Sequence, residues 1–268
     1  MSNPSPTKKL HNKVAIITGG ASGIGEETAH RFAENGARAV VIADIQEEKG
    51  QKVALSITTS NCCCTFIKCD VSDEEEVKSL VKSTVEKHGR IDIMFSNAGI
   101  MSKRRQDILN FNLVDYENVF SINVRGMAAC VKHAGHAMVE GGVKGSIICT
   151  SSVMANYGAK ISIDYVMSKH AVLGLVRCAS KGLGRFGIRV NCVAPGPVAT
   201  PMTCGVFQKS EEEVERSFEA DFALKKSGYL KAKDVADAVM FLACADSVFV
   251  TGHSLAVDAG YVPIGPRS

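Results

Sequence analysis

Tryptophan is missing from the 268-residue chain and aromatic residues make up only 6% of it, so no interleaved series of rings and cations is available to stack nucleic acid bases. Charge of one sign is lacking as well. The 31 Lys and Arg against 28 Asp and Glu leave a formal charge of +3, far from the field that draws a protein onto a polyanion. The triplet Lys103, Arg104 and Arg105 reads as a solvated loop face. No apolar run is long enough to span a bilayer. Residues 1–12 carry Pro4, Pro6, Lys8 and Lys9 without an apolar stretch, which suggests a flexible N-terminal tail rather than a secretory signal. Neither a membrane nor a nucleic acid partner is expected. Ten cysteines in 268 residues are too few for a disulfide scaffold and read as reduced thiols of a cytoplasmic protein. Cys62, Cys63, Cys64 and Cys69 lack the C-x-x-C pairs of a zinc site, and His133, His136, His170 and His253 show no H-x-x-x-H spacing with a carboxylate, so no metal is expected.

What is present is a 46% hydrophobic chain in which short β-branched runs alternate with longer segments of helical period. Val14–Thr18, Ala39–Ala43, Thr65–Lys68, Ile91–Ser96, Ser146–Thr150, Arg189–Val193 and Ser254–Val257 predict seven buried strands. Alternation with helices predicts an α/β fold, a doubly wound parallel sheet covered on both faces. Ser72 with Glu75, and Ser210 with Glu213, predict capping boxes, and His88-Gly89 predicts a helix stop. Without an internal linker or repeat, residues 13–268 read as one domain. The strandless stretch near 201–228 would serve as a substrate lid.

The first predicted strand runs into Gly19-Gly20-Ala21-Ser22-Gly23-Ile24-Gly25 and then a helix. That order suits a pyrophosphate, because glycines allow a tight turn and close backbone approach while the helix start offers free N–H groups. Gly19, Ser22, Gly23, Ile24 and Gly25 are the residues expected against it, although the spacing is G-x-x-x-G-x-G rather than the usual G-x-G-x-x-G. Asp44 ends the second strand, where a carboxylate accepts from an adenosine ribose and repels a 2′-phosphate. No Arg or Lys follows directly to offset it, which favours NAD over NADP.

Tyr165 and Lys169 lie four residues apart, on one face of a helix. A neighbouring ammonium, together with the positive nicotinamide ring of an oxidised cofactor, should lower the phenol's pKa toward the working range of a base. Ser152, just past a strand end, is placed to hold a substrate oxygen, and Asn123 to anchor a water linked to Lys169.

Thr18-Gly19-x-x-x-Gly23-x-Gly25, Cys69-Asp70-Val71, Asn97-Ala98-Gly99, Ile122-Asn123-Val124, Ser152, Tyr165-x-x-x-Lys169 and Pro195-Gly196 with Thr200 together resemble the short-chain dehydrogenase/reductase family from Lys13 to Val262. The resemblance implies a Rossmann-like domain and a catalytic tetrad of Asn123, Ser152, Tyr165 and Lys169. It also implies adenine contacts from Asp70 and Val71, a cofactor cleft lined by Asn97, Ala98 and Gly99, Pro195 beside the cofactor, and carboxamide contacts from Val198 and Thr200. Ser96 departs from the family's frequent Asn.

Segments such as Asp164–Lys169 and His170–Leu175 are similar to the plant branch of specialised metabolism that includes borneol, isopiperitenol and secoisolariciresinol dehydrogenases and nepetalactol-related enzymes. This resemblance implies a homotetramer that oxidises a secondary alcohol of a small hydrophobic monoterpenoid to the ketone with NAD. The alternative is nepetalactol-related chemistry, either dehydrogenation or a non-redox iridoid cyclisation with NAD bound. Ile100, Met101, Val153, Tyr157, Met202 and Phe207 supply an apolar set for such a substrate. The Cys62–Cys64 run is expected to be sensitive to oxidation.

Overall fold

The β-branched runs form strands because their side chains pack on both faces of a pleated sheet. In the computed structural model, which describes residues 8–59, 62–225 and 228–261, they are β1 (Val14–Thr18), β2 (Ala39–Asp44), β3 (Cys63–Lys68), β4 (Ile93–Ser96), β5 (Ser146–Thr150), β6 (Arg189–Pro195) and β7 (Ser254–Val257). All pair in parallel, in the order β3-β2-β1-β4-β5-β6-β7. The seven expected strands are present with shifted ends: β3 starts at Cys63, whose N–H donates to Arg38 O at 2.9 Å, and β4 starts at Ile93.

The helices are α1 (Gly23–Glu34), α2 (Glu47–Ile57), α3 (Glu74–His88), α4 (Leu113–Phe120), α5 (Met127–Glu140), α6 (Ile163–Leu183), α7 (Pro201–Phe207), α8 (Glu211–Phe218) and α9 (Ala232–Ala243). Strand alternation divides the core into two. Ala15, Ile17, Val40, Ile42 and Phe95 pack with Phe32 of α1, Val53 of α2 and Val239 of α9. On the other face Ile16, Val41 and Met94 pack with Leu80 of α3, Met138 of α5 and Val176 of α6. Each fully buried aliphatic side chain contributes about 1.5–3 kcal/mol. The result is the expected single-domain, doubly wound sheet. Its strand order reverses direction between β1 and β4, so the carboxyl ends of those strands open a crevice.

Two local expectations are corrected. Leu10 is fully buried and its N–H donates to Asn35 O at 2.9 Å, so the described part of residues 1–12 is anchored rather than a tail; residues 1–7 lie outside the described set. Ser72 is not the cap of α3. Asp73 is, accepting from the N–H groups of Glu75 and Glu76, while Ser72 Oγ donates to Asp70 at 2.7 Å. A carboxylate one residue closer to the helix captures the amides that the Ser72 hydroxyl was expected to take. The described part of the 201–228 stretch lacks strands and carries a helix from Glu211, both as expected, with α7 before it; Lys226 and Ser227 lie outside the described residues. Ser210 makes its capping box with Glu213, and Gly89 ends α3 with φ +79°.

Candidate active site

The glycine turn is pressed against the end of β4. Gly19 has φ +64°, and a Cβ on it would stand 2.9 Å from Ala98 Cα, while one on Gly25 would stand 2.1 Å from Gly19 O. The turn is tied to β2 by Gly19 N–H donating to Ala43 O at 2.8 Å. Ser22 caps α1 without a side-chain capping bond, leaving its hydroxyl and first-turn amides for an anion. Ile24 lies in that first turn, and Gly23 approaches Thr200, whose side chain a Cβ would meet at 3.4 Å. Asp44 is nearly buried and accepts from Ala21 N–H at 3.1 Å and Gln46 N–H at 2.9 Å. Its carboxylate is thereby fixed beside the turn.

A hydrogen-bonded path crosses the crevice. Lys169 Nζ donates to Thr150 O at 2.8 Å, and Thr150 Oγ1 donates to Asn97 Oδ1 at 2.9 Å. Asn97 Nδ2 then donates to Thr18 O at 3.2 Å and Gly19 O at 3.1 Å, and Thr18 Oγ1 accepts from the N–H groups of Asn97 and Ala98 at 3.0 and 3.2 Å. Thr18 and Thr150 were not singled out as site residues in the sequence. Their signal is position, since each is the last residue of a strand that leads into a motif.

Asn123 sits in a π-helical segment, Ser121–Gly126, between α4 and α5; such wide turns often accompany functional positions. It is fully buried. Its Oδ1 accepts from Ile100 N–H at 2.8 Å, and its Nδ2 donates to Ile100 O at 2.9 Å and to Ser168 Oγ at 3.0 Å. A Cβ on Gly99 would meet Asn123 Oδ1 at 3.2 Å and Lys169 Nζ at 3.7 Å, so these three converge.

Tyr165 and Lys169 share a face of α6, with Nζ 5.4 Å from the phenol ring centroid. In the chain by itself the tyrosine is shifted upward. Burial pushes the Tyr165 phenol up to about 12, with hydrogen bonding to Ser152 pulling partly back. Burial also pushes Lys169 down to about 8. Both charged forms lose solvation in the same enclosed place, and at that distance the ammonium is directed at Thr150 O rather than at the phenol oxygen. Ser152 Oγ also accepts from Met154 N–H at 3.1 Å.

The remaining expected residues lie around this crevice or beside its β2 edge. Pro195 ends β6, Val198 is buried with its O accepting from Thr203 Oγ1 at 2.8 Å, and Thr200 caps α7 in a reciprocal pair with Thr203. Asp70 and Val71 follow β3, next to β2: Cys69 N–H donates to Asp44 O at 3.1 Å. Among the described residues no group of three or more His, Cys, Asp and Glu is placed to hold a metal ion, and no helix is long and apolar enough to cross a membrane. The crevice fits a dinucleotide in three respects: a turn folded too tightly for a Cβ at Gly19 or Gly25, a Ser22 that caps α1 without a side-chain bond, and a lysine held beside Gly99.

Comparisons agree with this geometry. A family model described as enoyl-(acyl carrier protein) reductase matches residues 19–262. A (+)-cis,trans-nepetalactol synthase of Nepeta racemosa is 51% identical over 94% of this chain and 92% of its own. The (−)-isopiperitenol/(−)-carveol dehydrogenase, mitochondrial, of Mentha piperita is 50% identical over 94% of each chain. The crystal structure of levodione reductase superposes with a TM-score of 0.86 at 31% identity, covering 94% of this chain and 98% of that one.

Proposed function

Because the chain belongs to the short-chain dehydrogenase/reductase family, we propose that it is an NAD-dependent alcohol dehydrogenase that converts a secondary alcohol of a small hydrophobic, monoterpenoid-like substrate to its ketone. The observation that carries this reading is the convergence of Asn123, Lys169 and Gly99, with Tyr165 and Ser152, beside the glycine turn. An oxidised nicotinamide, when bound, supplies the hydride acceptor and a positive charge. Gly19, Ser22, Gly23, Ile24 and Gly25 would hold its pyrophosphate, Asp44 its adenosine ribose, Asp70 and Val71 the adenine, and Asn97, Ala98, Gly99, Pro195, Val198 and Thr200 the nicotinamide half.

The chain's own residues divide the remaining work. Ser152 Oγ holds the substrate oxygen, and Tyr165 takes the hydroxyl proton during oxidation. With a phenol near 12 before binding, Tyr165 rests protonated, the form that donates to a carbonyl in the reverse direction. Lys169 brings positive charge to the phenol, and Asn123, clamped to Ile100 and Ser168, steadies the segment through which a water relay would run. The fixed Asp44 carboxylate supports NAD over NADP. The apolar set around Val153, Tyr157, Met202 and Phe207 supports a hydrophobic substrate. We take the assembled form to be a cytoplasmic homotetramer, the tetramer on the family resemblance and the compartment on the reduced thiols; exposed Leu113 and Val114 on α4 supply apolar surface for association between copies.

Purified protein mixed with NAD and cyclic terpenoid alcohols, including borneol, isopiperitenol and nepetalactol, tests the proposal by reduced-cofactor absorbance and chiral gas chromatography. Tyr165→Phe is expected to abolish turnover while NAD affinity stays within about threefold; undiminished activity would overturn the assignment. The nepetalactol synthase relative favours one second reading, cyclisation of an iridoid precursor with bound NAD, which would give product with no net change in reduced cofactor.

A further inference from the structure

Asp164 directly precedes Tyr165 and is fully buried, yet it makes no ion pair among the described residues. Its Oδ1 accepts from Tyr165 N–H at 2.8 Å, and its Oδ2 accepts from Ser102 Oγ. Ser102 belongs to the segment after Gly99 whose start is clamped by Asn123 through both the N–H and the O of Ile100. The same segment is fastened twice more. Gln106 O accepts from Ile163 N–H at 3.2 Å at the first turn of α6. The Gln106 side chain, fully buried, accepts from Asn112 N–H at 2.9 Å and donates to Asp115 at 3.0 Å. Residues 100–112 are therefore strapped between the Asn123 segment and the start of the Tyr165 helix.

A buried carboxylate without a cation is costly to keep, and meeting a first-turn amide does not require burial: Asp164 lies inside the first turn of α6, whose cap position is Ser162, whereas the exposed Asp73 caps α3 and meets such amides from solvent. What Asp164 adds is a link between a backbone amide of the Tyr165 helix and the loop that carries Ile100 and Met101. We propose that Asp164, through Ser102, is a positioning residue that fixes the apolar wall of the substrate site at a set distance from the Tyr165 phenol and so sets selectivity for bulky hydrophobic alcohols. This rests on the dehydrogenase reading above. Asp164→Asn keeps an acceptor for Tyr165 N–H and a polar partner for Ser102; Asp164→Ala and Ser102→Ala remove the link.

Hydrogen exchange of residues 100–112 and steady-state kinetics test it together in the full-length protein. In Ser102→Ala and Asp164→Ala these amides are expected to exchange about tenfold faster while the α3 amides are unchanged. The ratio of kcat/KM for a bicyclic terpenoid alcohol over that for cyclohexanol should fall about tenfold, mainly through KM. Asp164→Asn should restore most of both, and NAD affinity should stay within about twofold in all three. Unchanged exchange in both link-breaking variants, or equal loss on both alcohols, overturns the proposal. If the unsubstituted protein oxidises no alcohol, the dehydrogenase reading fails, and the exchange result still decides whether the strap exists.

Discussion

At the scale of single residues, Tyr165 and Lys169 show why chemistry read from spacing needs burial as a second coordinate. Four residues of separation brings the pair together, but burial sets how readily each gives up its proton, with the phenol pushed up to about 12 and the ammonium down to about 8. For Lys169 the folded value lies below the ordinary 10.5. The unfolded chain binds the extra proton between those limits, so this group's penalty is full below about pH 8 and fades as pH rises toward 10.5. Lys169→Met should therefore raise the stability of the protein without cofactor at pH 7 by about 3 kcal/mol, an advantage that shrinks toward pH 10. Melting temperature against pH for both proteins measures this; a pH-independent difference would contradict it. Asp44 offers a second test. Asp44→Asn retains an acceptor for a backbone N–H but removes the charge, so the proposed preference in kcat/KM for NAD over NADP should fall at least about tenfold.

At the scale of elements, helix punctuation was partly legible. Ser210 and Glu213 cap α8 as their spacing requires, and Gly89 closes α3 in the left-handed region. Ser72 fit the same pattern and failed, because Asp73 competes for the same amides. Asp73→Ala should cost about 1 kcal/mol and Ser72→Ala much less, as chemical denaturation would show; equal costs would restore the capping role to Ser72. The π-helical segment around Asn123 had no sequence signal. It brings Gly126 against the Val71 carbonyl, where a Cβ would stand 2.7 Å away. Gly126→Ala should accordingly both destabilise the chain and disturb the Asn123 clamp.

At the scale of the whole molecule, cofactor binding and folding are linked. NAD at a hundred times its Kd should stabilise the protein by about 2.7 kcal/mol, a rise in melting temperature that an equal concentration of NADP should not match. The thiols report on the same compact state. Cys63 and Cys178 are exposed and Cys204 half-buried, while the other seven cysteines are buried, with Cys64 and Cys69 pushed up to about 12. Thiol titration of the native protein should find the two exposed groups first and all ten only after denaturation. Oxidation of the Cys62–Cys64 run should accordingly be confined to Cys63.

The strands, the two-sided sheet and the glycine turn were decided by the sequence itself, because hydrophobic period and the left-handed backbone that glycine allows at Gly19 (φ +64°) are local properties that each short segment carries alone. The four residues of the proposed tetrad were also nameable, since their motifs are local. What only the tertiary structure decided was every relation across distance. The Lys169–Thr150–Asn97–Thr18 path, the burial that sets two pKa values, and the Ser102–Asp164 strap each join segments that neighbour one another only once the strand order places β1, β4 and β5 side by side. Hydrogen-bond direction and desolvation depend on that placement, and no spacing along the chain encodes it.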